Sequence, residues 1–122
     1  MIIGIGTDII EVARVERAIA KEEFLRKVFS PREIDYCSKQ NNAMSYAARF
    51  AAKEAFFKAL GTGWREGMSI LEVEILNNEI GKPDIHLSGR ALEVFSNRGG
   101  KNVHVSISHL KEMAAAFVVV EG

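Results

Sequence analysis

The chain has 122 residues, of which 16 are basic and 16 acidic, so its formal net charge is zero. This length predicts one domain over residues 1–122, and the balanced charge argues against a general basic field for nucleic acid. No apolar run reaches the length of a membrane span, and the apolar opening is too short for a signal peptide because it meets Asp8 at once. The single cysteine, Cys37, excludes an internal disulfide. We therefore expect a cytoplasmic protein without membrane or nucleic-acid partners.

The chain is predicted to open with a strand and two helices. Residues 2–7 are apolar and rich in β-branched side chains, which favours a strand. Asp8 and Glu11 have the spacing of a capping box, which predicts a helix that runs to about Ala20. A second helix is expected over residues 22–29.

A stronger helix start follows in the Ser-Pro-Arg-Glu sequence of residues 30–33. Ser suits the N-cap, Pro the first helical position and Glu the third, so a helix is predicted through Cys37 or Ser38. Residues 39–42 are polar and are expected to form a connection.

Residues 47–63, AARFAAKEAFFKALGTG, are the most informative segment. They continue a helix that is predicted to begin at Ala43 or Met44 and to end at Leu60, before Gly61. Its apolar residues leave no continuous polar face, which is typical of a buried helix. The helix nevertheless carries four charges that need compensation: Arg49, Lys53, Glu54 and Lys58.

Two interpretations of these charges stay open from the residues alone. Glu54 and Lys58 have the i, i+4 spacing of an ordinary helix ion pair. Arg49 and Lys53 have the same spacing without an acid between them, so they would repel each other. Basic groups with one carboxylate suit a phosphate-rich ligand and a divalent metal.

The period of the pattern changes from helical to alternating after Gly67. Leu71, Val73 and Ile75 alternate with two glutamates, which predicts a half-buried strand. Residues 77–83 have turn chemistry, and residues 84–87 are expected to return as the second strand of a hairpin.

The last third is predicted to contain one helix and two strands. Ser88 is expected to cap a helix that runs to about Asn97. Residues 103–107 alternate as a strand does, and residues 113–120 are almost wholly apolar, which predicts a strand central in a sheet or at a subunit interface. The predicted fold class is α+β, with a mostly antiparallel sheet packed against the long helix.

Two features of the first strand concern binding. Gly4 and Gly6 match the start of a dinucleotide fingerprint, but Ile9 occupies the position of its third glycine, which argues against such a site. Asp8 at a strand-to-helix junction is either a helix cap or a metal ligand, and Glu54 can supply a second carboxylate for Mg²⁺.

Five motifs in order, over nearly the whole chain, resemble the bacterial holo-acyl-carrier-protein synthases, the small-chain branch of the 4′-phosphopantetheinyl transferases. They are GIGTDIIEVARVE at 4–16, FSPREID at 29–35, ARFAAKEAFFKALGTG at 48–63, GKP at 81–83 and VSISH at 105–109. The resemblance implies that coenzyme A donates its 4′-phosphopantetheine arm to a serine of an apo acyl carrier protein, in support of fatty acid biosynthesis. Adenosine 3′,5′-bisphosphate would be released.

The resemblance also implies roles for individual residues. Asp8 and Glu54 match carboxylates that hold Mg²⁺, or Mn²⁺ in its place, and Lys58 would stabilise the transferring or leaving phosphate. The positions that match contacts to coenzyme A are Arg49, Gly81, Lys82, Pro83, Ser106 and His109. For His109 we expect phosphate contact rather than base chemistry, since Leu110 beside it cannot orient the ring.

Family members of this size are trimers whose active sites are shared between subunits, so the resemblance implies a homotrimer. Arg14, Arg17 and Lys21 have the spacing of one face of the first predicted helix. They are either a solvated basic stripe or, since the resemblance implies an acidic carrier protein, the surface that docks it. The alternatives are a non-catalytic module that binds coenzyme A or another nucleotide, and a structural oligomerisation domain. Neither its position around the helix nor the resemblance assigns a role to Lys53.

Overall fold

The computed structural model describes residues 1–40, 43–63 and 67–122. In this part of the chain it has five strands and five helices, with a short 3₁₀ turn (Ile70–Glu72) before the second strand. In chain order they are β1 (Ile2–Glu11), α1 (Val12–Ile19), α2 (Glu22–Val28), α3 (Pro31–Gln40), α4 (Ala43–Leu60), β2 (Val73–Asn77), β3 (Pro83–Leu87), α5 (Gly89–Asn97), β4 (Asn102–His109) and β5 (Met113–Glu121). The predicted α+β class is confirmed.

The strands form two antiparallel sheets. One has the order β1-β5-β4, and the other is the β2-β3 hairpin. Val118 of β5 pairs with Gly6 on one side and with Val105 on the other. The apolar last strand is therefore central, as its composition predicts.

Helix α4 covers one face of the three-stranded sheet. Its phenylalanines Phe56 and Phe57 are fully buried. A Cβ added at Gly4 would lie 2.0 Å from the carbonyl oxygen of Ala59, and one added at Gly6 would lie 1.9 Å from that of Ala55. The two glycines allow β1 to lie directly against the helix backbone, which explains them without a nucleotide.

The prediction that Asp8 ends the first strand and caps a helix is wrong. β1 continues to Glu11, and Asp8 pairs with Ala116 inside the ladder. The first helix begins at Val12, and Glu11 makes no side-chain cap bond there. The local D-x-x-E pattern is overridden because β5 offers backbone partners along the whole length of β1.

The predicted capping box of the third helix is confirmed. The Glu33 amide donates to Ser30 Oγ at 3.2 Å, and the Ser30 amide donates to Glu33 Oε1 at 2.9 Å. The helix continues to Gln40, beyond its predicted end, so residues 39 and 40 are helical and do not belong to a connection; residues 41–42 lie outside the described residues. The long helix has its predicted bounds and ends at Leu60, before Gly61, whose φ is 77°.

The strand expected from Leu71 begins two residues later. Residues 70–72 form the 3₁₀ turn, with Ser69 and Glu72 as its capping box, and Leu71 is exposed. The Glu72 carboxylate also accepts from the amides of Arg90 and Ala91 at 3.0 and 3.2 Å. It therefore caps α5 from a distance, whereas the Ser88 side chain, predicted to be the cap, makes no cap bond.

None of the helices in residues 1–40, 43–63 and 67–122 is both long and apolar enough to cross a membrane.

Candidate active site

Lys53, whose role the sequence leaves open, belongs to the core. Its side chain and that of Glu33 are both 0% exposed, and Lys53 Nζ lies 2.7 Å from Glu33 Oε1. The ammonium also donates to the carbonyl of Val28 at 2.8 Å, and Glu33 Oε2 accepts from the amide of Ile75 at 2.8 Å. The pair joins α3, α4 and β2, so Lys53 has a structural role.

Burial lowers the pKa of Lys53, because the charged ammonium is removed from water. The Glu33 carboxylate opposes this shift by attracting and hydrogen-bonding the ammonium. A charge that is fully buried needs such a partner, which is the compensation that the apolar helix requires.

Asp8 and Lys58 meet at the edge of the sheet. Asp8 lies on the β1 face that is turned towards α4, and its Oδ1 accepts from Lys58 Nζ at 3.0 Å. The Lys58 side chain is 56% exposed, so the ammonium can reach a ligand from solvent. Glu54 is half-buried one turn before Lys58, about 40° away around the helix. This face of α4 therefore combines a carboxylate and a cation with the Asp8 carboxylate.

A separate cleft of about 460 Å³ lies on the other side of α4. Its lining contains four of the predicted coenzyme A contacts: Arg49, Gly81, Pro83 and His109. Lys82 is exposed in the same turn, and its amide donates to Asn78 Oδ1 at 2.9 Å. The cleft brings a guanidinium and an imidazole to one hairpin turn.

The guanidinium of Arg49 is held on three sides. Its Nη2 donates to Asn77 Oδ1, its Nη1 donates to the carbonyl of Ser45 at 3.3 Å, and its Cζ lies 4.4 Å from the centroid of the Tyr36 ring. Nε is buried and has no hydrogen-bond partner within the described residues. A buried donor in this state costs roughly 1–3 kcal/mol, so it favours binding an acceptor such as a phosphate oxygen.

The Asp8–Lys58 group and the cleft beside Arg49 do not meet within one chain. Lys58 lies nine residues after Arg49, which is about 180° around an α-helix. Ser106 is separate from the Lys58 group and from the Arg49 cleft. Because successive residues of β4 point to opposite faces of the sheet, Ser106 is exposed on the face away from Ile107 and His109. The predicted site residues thus fall on distinct surfaces of the chain.

The donor set around Asp8 fits a hard divalent cation. Within the described residues there is no group of three or more His, Cys, Asp or Glu side chains able to hold a metal. Mg²⁺ typically takes one or two carboxylates and completes its shell with water and substrate phosphates. Asp8 and Glu54 supply that number of carboxylates.

The predicted docking residues are exposed, but they do not form one helical face. Arg14 and Arg17 lie on α1, which ends at Ile19, whereas Lys21 is the extended residue before α2. The prediction that Lys21 continues that face is therefore wrong, since the helix spacing does not reach it. The next basic residues, Arg26 and Lys27, are paired with glutamates on their own helix.

Cys37 is not a nucleophile. It is 0% exposed on α3, and burial raises the pKa of its thiol to about 11. The thiol is therefore neutral near pH 7 and out of reach of a substrate.

Tyr36 and Asn77 line the cleft and are not predicted from the sequence. Their contacts to Arg49 arise because α3 and the β2-β3 hairpin both lie beside α4. Nothing in the local sequence of either residue signals this.

The chain is similar to known proteins over its whole length. Residues 4–118 match the model of the 4′-phosphopantetheinyl transferase superfamily. A holo-[acyl-carrier-protein] synthase of Syntrophus aciditrophicus is 46% identical, with 100% of this chain and 98% of the relative covered.

Two solved structures are similar in both sequence and fold. The holo-[acyl-carrier-protein] synthase of Neisseria meningitidis has a TM-score of 0.90 at 36% identity and is matched over 100% of both chains. The corresponding enzyme of Bacillus anthracis, in complex with CoA (3′,5′-ADP), has a TM-score of 0.81 at 37% identity, over 98% of this chain and 96% of that one. The chain belongs to the 4′-phosphopantetheinyl transferase superfamily.

Proposed function

We propose that the chain is a holo-acyl-carrier-protein synthase, which transfers the 4′-phosphopantetheine arm of coenzyme A to a serine of an apo acyl carrier protein. The observation that carries the proposal is the contact of Lys58 with Asp8 beside Glu54, within a chain that matches such synthases from end to end. A cytoplasmic location and a role in fatty acid biosynthesis belong to the same proposal.

The reaction requires little covalent chemistry from the protein. The serine oxygen forms a bond to the phosphorus that carries the pantetheine arm. The bond from that phosphorus to the oxygen of the adenosine-side phosphate breaks, and adenosine 3′,5′-bisphosphate leaves with the electron pair. The serine proton passes to water or a carboxylate. Catalysis then rests on positioning and on neutralising the phosphate charge.

Lys58 is the residue suited to that neutralisation. Its ammonium is exposed at the end of a flexible side chain and already lies against a carboxylate. On substrate binding it can donate to a phosphate oxygen and stabilise negative charge that develops as the phosphoryl group moves.

Asp8 and Glu54 would hold Mg²⁺, or Mn²⁺ in its place. The metal would neutralise the diphosphate when bound. The Asp8 carboxylate also orients Lys58, from which it accepts a hydrogen bond.

The cleft beside Arg49 is proposed to bind the nucleotide end of coenzyme A. Arg49 and His109 supply donors for phosphate, and the Gly81-Lys82-Pro83 turn forms one wall for the adenine. His109 lies in this cleft rather than beside Lys58, which supports phosphate contact over a role as general base.

We propose that two subunits complete each site within a homotrimer. The Lys58 and Arg49 surfaces lie on opposite sides of α4, so one extended substrate would meet them on neighbouring chains. The sheet face away from α4 is apolar and exposed: Ile5, Ile9 and Phe117 are 64%, 64% and 57% exposed. Such a patch is typical of an interface, and Ser106 lies on the same face. Light scattering should give the mass of three chains.

Arg14 and Arg17 are proposed to dock the carrier protein, with Lys21 beside them. Arg14→Glu should raise the Michaelis constant for carrier protein about tenfold and leave that for coenzyme A unchanged, because exposed charges act on encounter with the acidic partner. Steady-state kinetics with each substrate varied in turn measures this. An unchanged constant for carrier protein would contradict the docking surface.

Intact-mass spectrometry of an apo carrier protein, incubated with the chain, coenzyme A and Mg²⁺, tests the function. One added phosphopantetheine arm that depends on the metal supports the enzyme. Binding of coenzyme A without addition would favour the alternative, a non-catalytic nucleotide-binding module. If the chain neither binds coenzyme A nor modifies the carrier protein, a structural oligomerisation domain is favoured. Glu54→Gln should abolish transfer in a folded protein, and a fully active variant would remove the metal role.

A further inference from the structure

Asn77, the last residue of β2, links the Arg49 guanidinium to the GKP turn. Its Oδ1 accepts from Arg49 Nη2, while its Nδ2 donates to the carbonyl of Gly81 at 2.7 Å. The amide therefore uses its acceptor on the long helix and its donor on the turn. An amide suits this position because it carries both groups side by side.

The turn itself does not need the Asn77 side chain in order to close. The Asn78 amide donates to the carbonyl of Lys82 at 2.8 Å, and the Gly81 amide donates to the carbonyl of Asn78 at 2.9 Å. The Asn78 side chain then accepts from the amides of Ile80 and Lys82 at 3.0 and 2.9 Å. Asn77 is left to connect the closed turn to its neighbour.

The partner of Asn77 is a side chain that is costly to hold without a ligand. Arg49 is 5% exposed, its ring contact with Tyr36 covers one face, and its Nε has no hydrogen-bond partner within the described residues. A guanidinium donates in a fixed plane, so fixing Nη2 also fixes the direction of Nε. Asn77 thereby determines where a bound anion finds the Arg49 donors.

We propose that Asn77 is a positioning residue for the nucleotide end of coenzyme A, holding Arg49 and the Gly81-Pro83 turn in the arrangement that binds it. This inference rests on the proposed function. It assigns Asn77 an effect on affinity, exerted through Arg49 and the turn, and no effect on the chemical step at Lys58.

A double-mutant cycle with adenosine 3′,5′-bisphosphate as the probe, measured by titration calorimetry, tests this assignment. Asn77→Ala should weaken binding about tenfold and Arg49→Ala by more, while the binding free energy lost in the double variant should be smaller than the sum of the two single losses. In turnover, Asn77→Ala should raise the Michaelis constant for coenzyme A by a similar factor with kcat changed less than about twofold. Glu79→Gln, an exposed change in the same turn, is the matched control and should match wild type.

A conservative variant guards against misfolding. Asn77→Gln keeps both the acceptor for Arg49 and the donor for Gly81 on a longer side chain, so it should retain more affinity than Asn77→Ala. Additive losses in the double variant, wild-type binding by Asn77→Ala, or a fall in kcat alone would overturn the inference. A wild-type chain that binds neither the bisphosphate nor coenzyme A would instead overturn the proposed function, and this inference with it.

Discussion

Lys53 and Lys58 lie five residues apart on α4 in very different surroundings. The Lys53 side chain is 0% exposed against Glu33, and the Lys58 side chain is 56% exposed against Asp8. Removing one partner of a buried pair leaves an uncompensated charge, whereas an exposed pair contributes little. The two lysines should therefore separate stability from activity.

Lys53→Met is expected to lower the free energy of unfolding by about 3–5 kcal/mol, because Glu33 is left buried without its cation. Lys58→Met should lower it by at most about 1 kcal/mol yet lose nearly all transfer. Urea unfolding and the intact-mass assay measure the two properties. The double variant Glu33→Gln, Lys53→Met should recover part of the lost stability, and an equal cost for both single lysine variants would contradict the assignment.

At the scale of elements, the contact of β1 with α4 holds the candidate site together. Gly6 lies two residues before Asp8 on the same face of the strand, and a Cβ there would come within 1.9 Å of the Ala55 carbonyl oxygen. The nearest atoms belong to the helix backbone, which cannot rotate away as a side chain can.

Gly6→Ala is therefore expected to destabilise the chain by roughly 1–3 kcal/mol or more and to reduce transfer, since it moves Asp8 away from Lys58. Gly99→Ala is the control, because Gly99 has a positive φ but open space around it, so Ala there strains the backbone without pressing on another element. It should cost about 1–2 kcal/mol of stability and leave transfer intact. Thermal unfolding and turnover compare the two; equal effects on turnover would show that the strand-to-helix spacing does not matter.

Glu72 joins a second pair of elements, the 3₁₀ turn and α5. Burial alone would raise the pKa of this carboxyl, but the amides of Ser69, Arg90 and Ala91 donate to it and lower the pKa below its ordinary value of 4.5. Because the folded pKa is depressed, the ionised group stabilises the fold fully above pH 4.5. That contribution is lost as the pH falls through the folded value.

Glu72→Gln should accordingly lower the free energy of unfolding at pH 7 by about 1–3 kcal/mol, through weaker bonds to the three amides. The difference from wild type should shrink as the pH falls below 4.5, where the wild-type carboxyl takes up its proton. Glu93→Gln on the exposed face of α5 is the control and should cost little at any pH. Urea titrations across this pH range test the sign, and a constant difference would refute it.

At the scale of the whole molecule, local pattern predicts the elements better than their partners. The apolar character of α4 and the Ser30 cap of α3 follow from neighbouring residues, and both are confirmed. The role of Lys53 could not be predicted because Glu33 is 20 residues away, and their contact depends on how α3 lies against α4. The local pattern at Asp8 wrongly predicts a cap, because its ladder partner is in β5 at the other end of the chain.

The candidate site shows the same division. Three of the nine predicted catalytic and coenzyme A residues, Arg49, Glu54 and Lys58, lie in the long-helix motif. How the nine group is a property of three dimensions: Lys58 meets Asp8, Arg49 meets the hairpin, and Ser106 faces away. The helix spacing of Arg49 and Lys58 already indicates opposite faces. The proposal that a second subunit completes the site depends in addition on the exposed apolar face of the sheet.

Subunit complementation tests that consequence directly. Lys58→Ala and Arg49→Ala should each be nearly inactive alone, because each removes one half of every site. If neighbouring chains supply the two halves, a site is intact only where one chain keeps Lys58 and its neighbour keeps Arg49. Random mixing of equal amounts by co-expression then leaves about one quarter of the sites in a symmetric ring intact. Transfer should therefore return to about one quarter of the wild-type rate.

The matched control mixes Lys58→Ala with Glu54→Gln, which damage the same half of the site. In that mixture every site combines an intact Arg49 surface with a damaged Lys58 surface, so no activity should return. Light scattering on both mixtures checks that the oligomers are the same size. A site confined to one chain would carry one substitution or the other in every subunit, so the mixture would stay inactive. An inactive Lys58→Ala and Arg49→Ala mixture of full oligomeric size would therefore exclude shared sites.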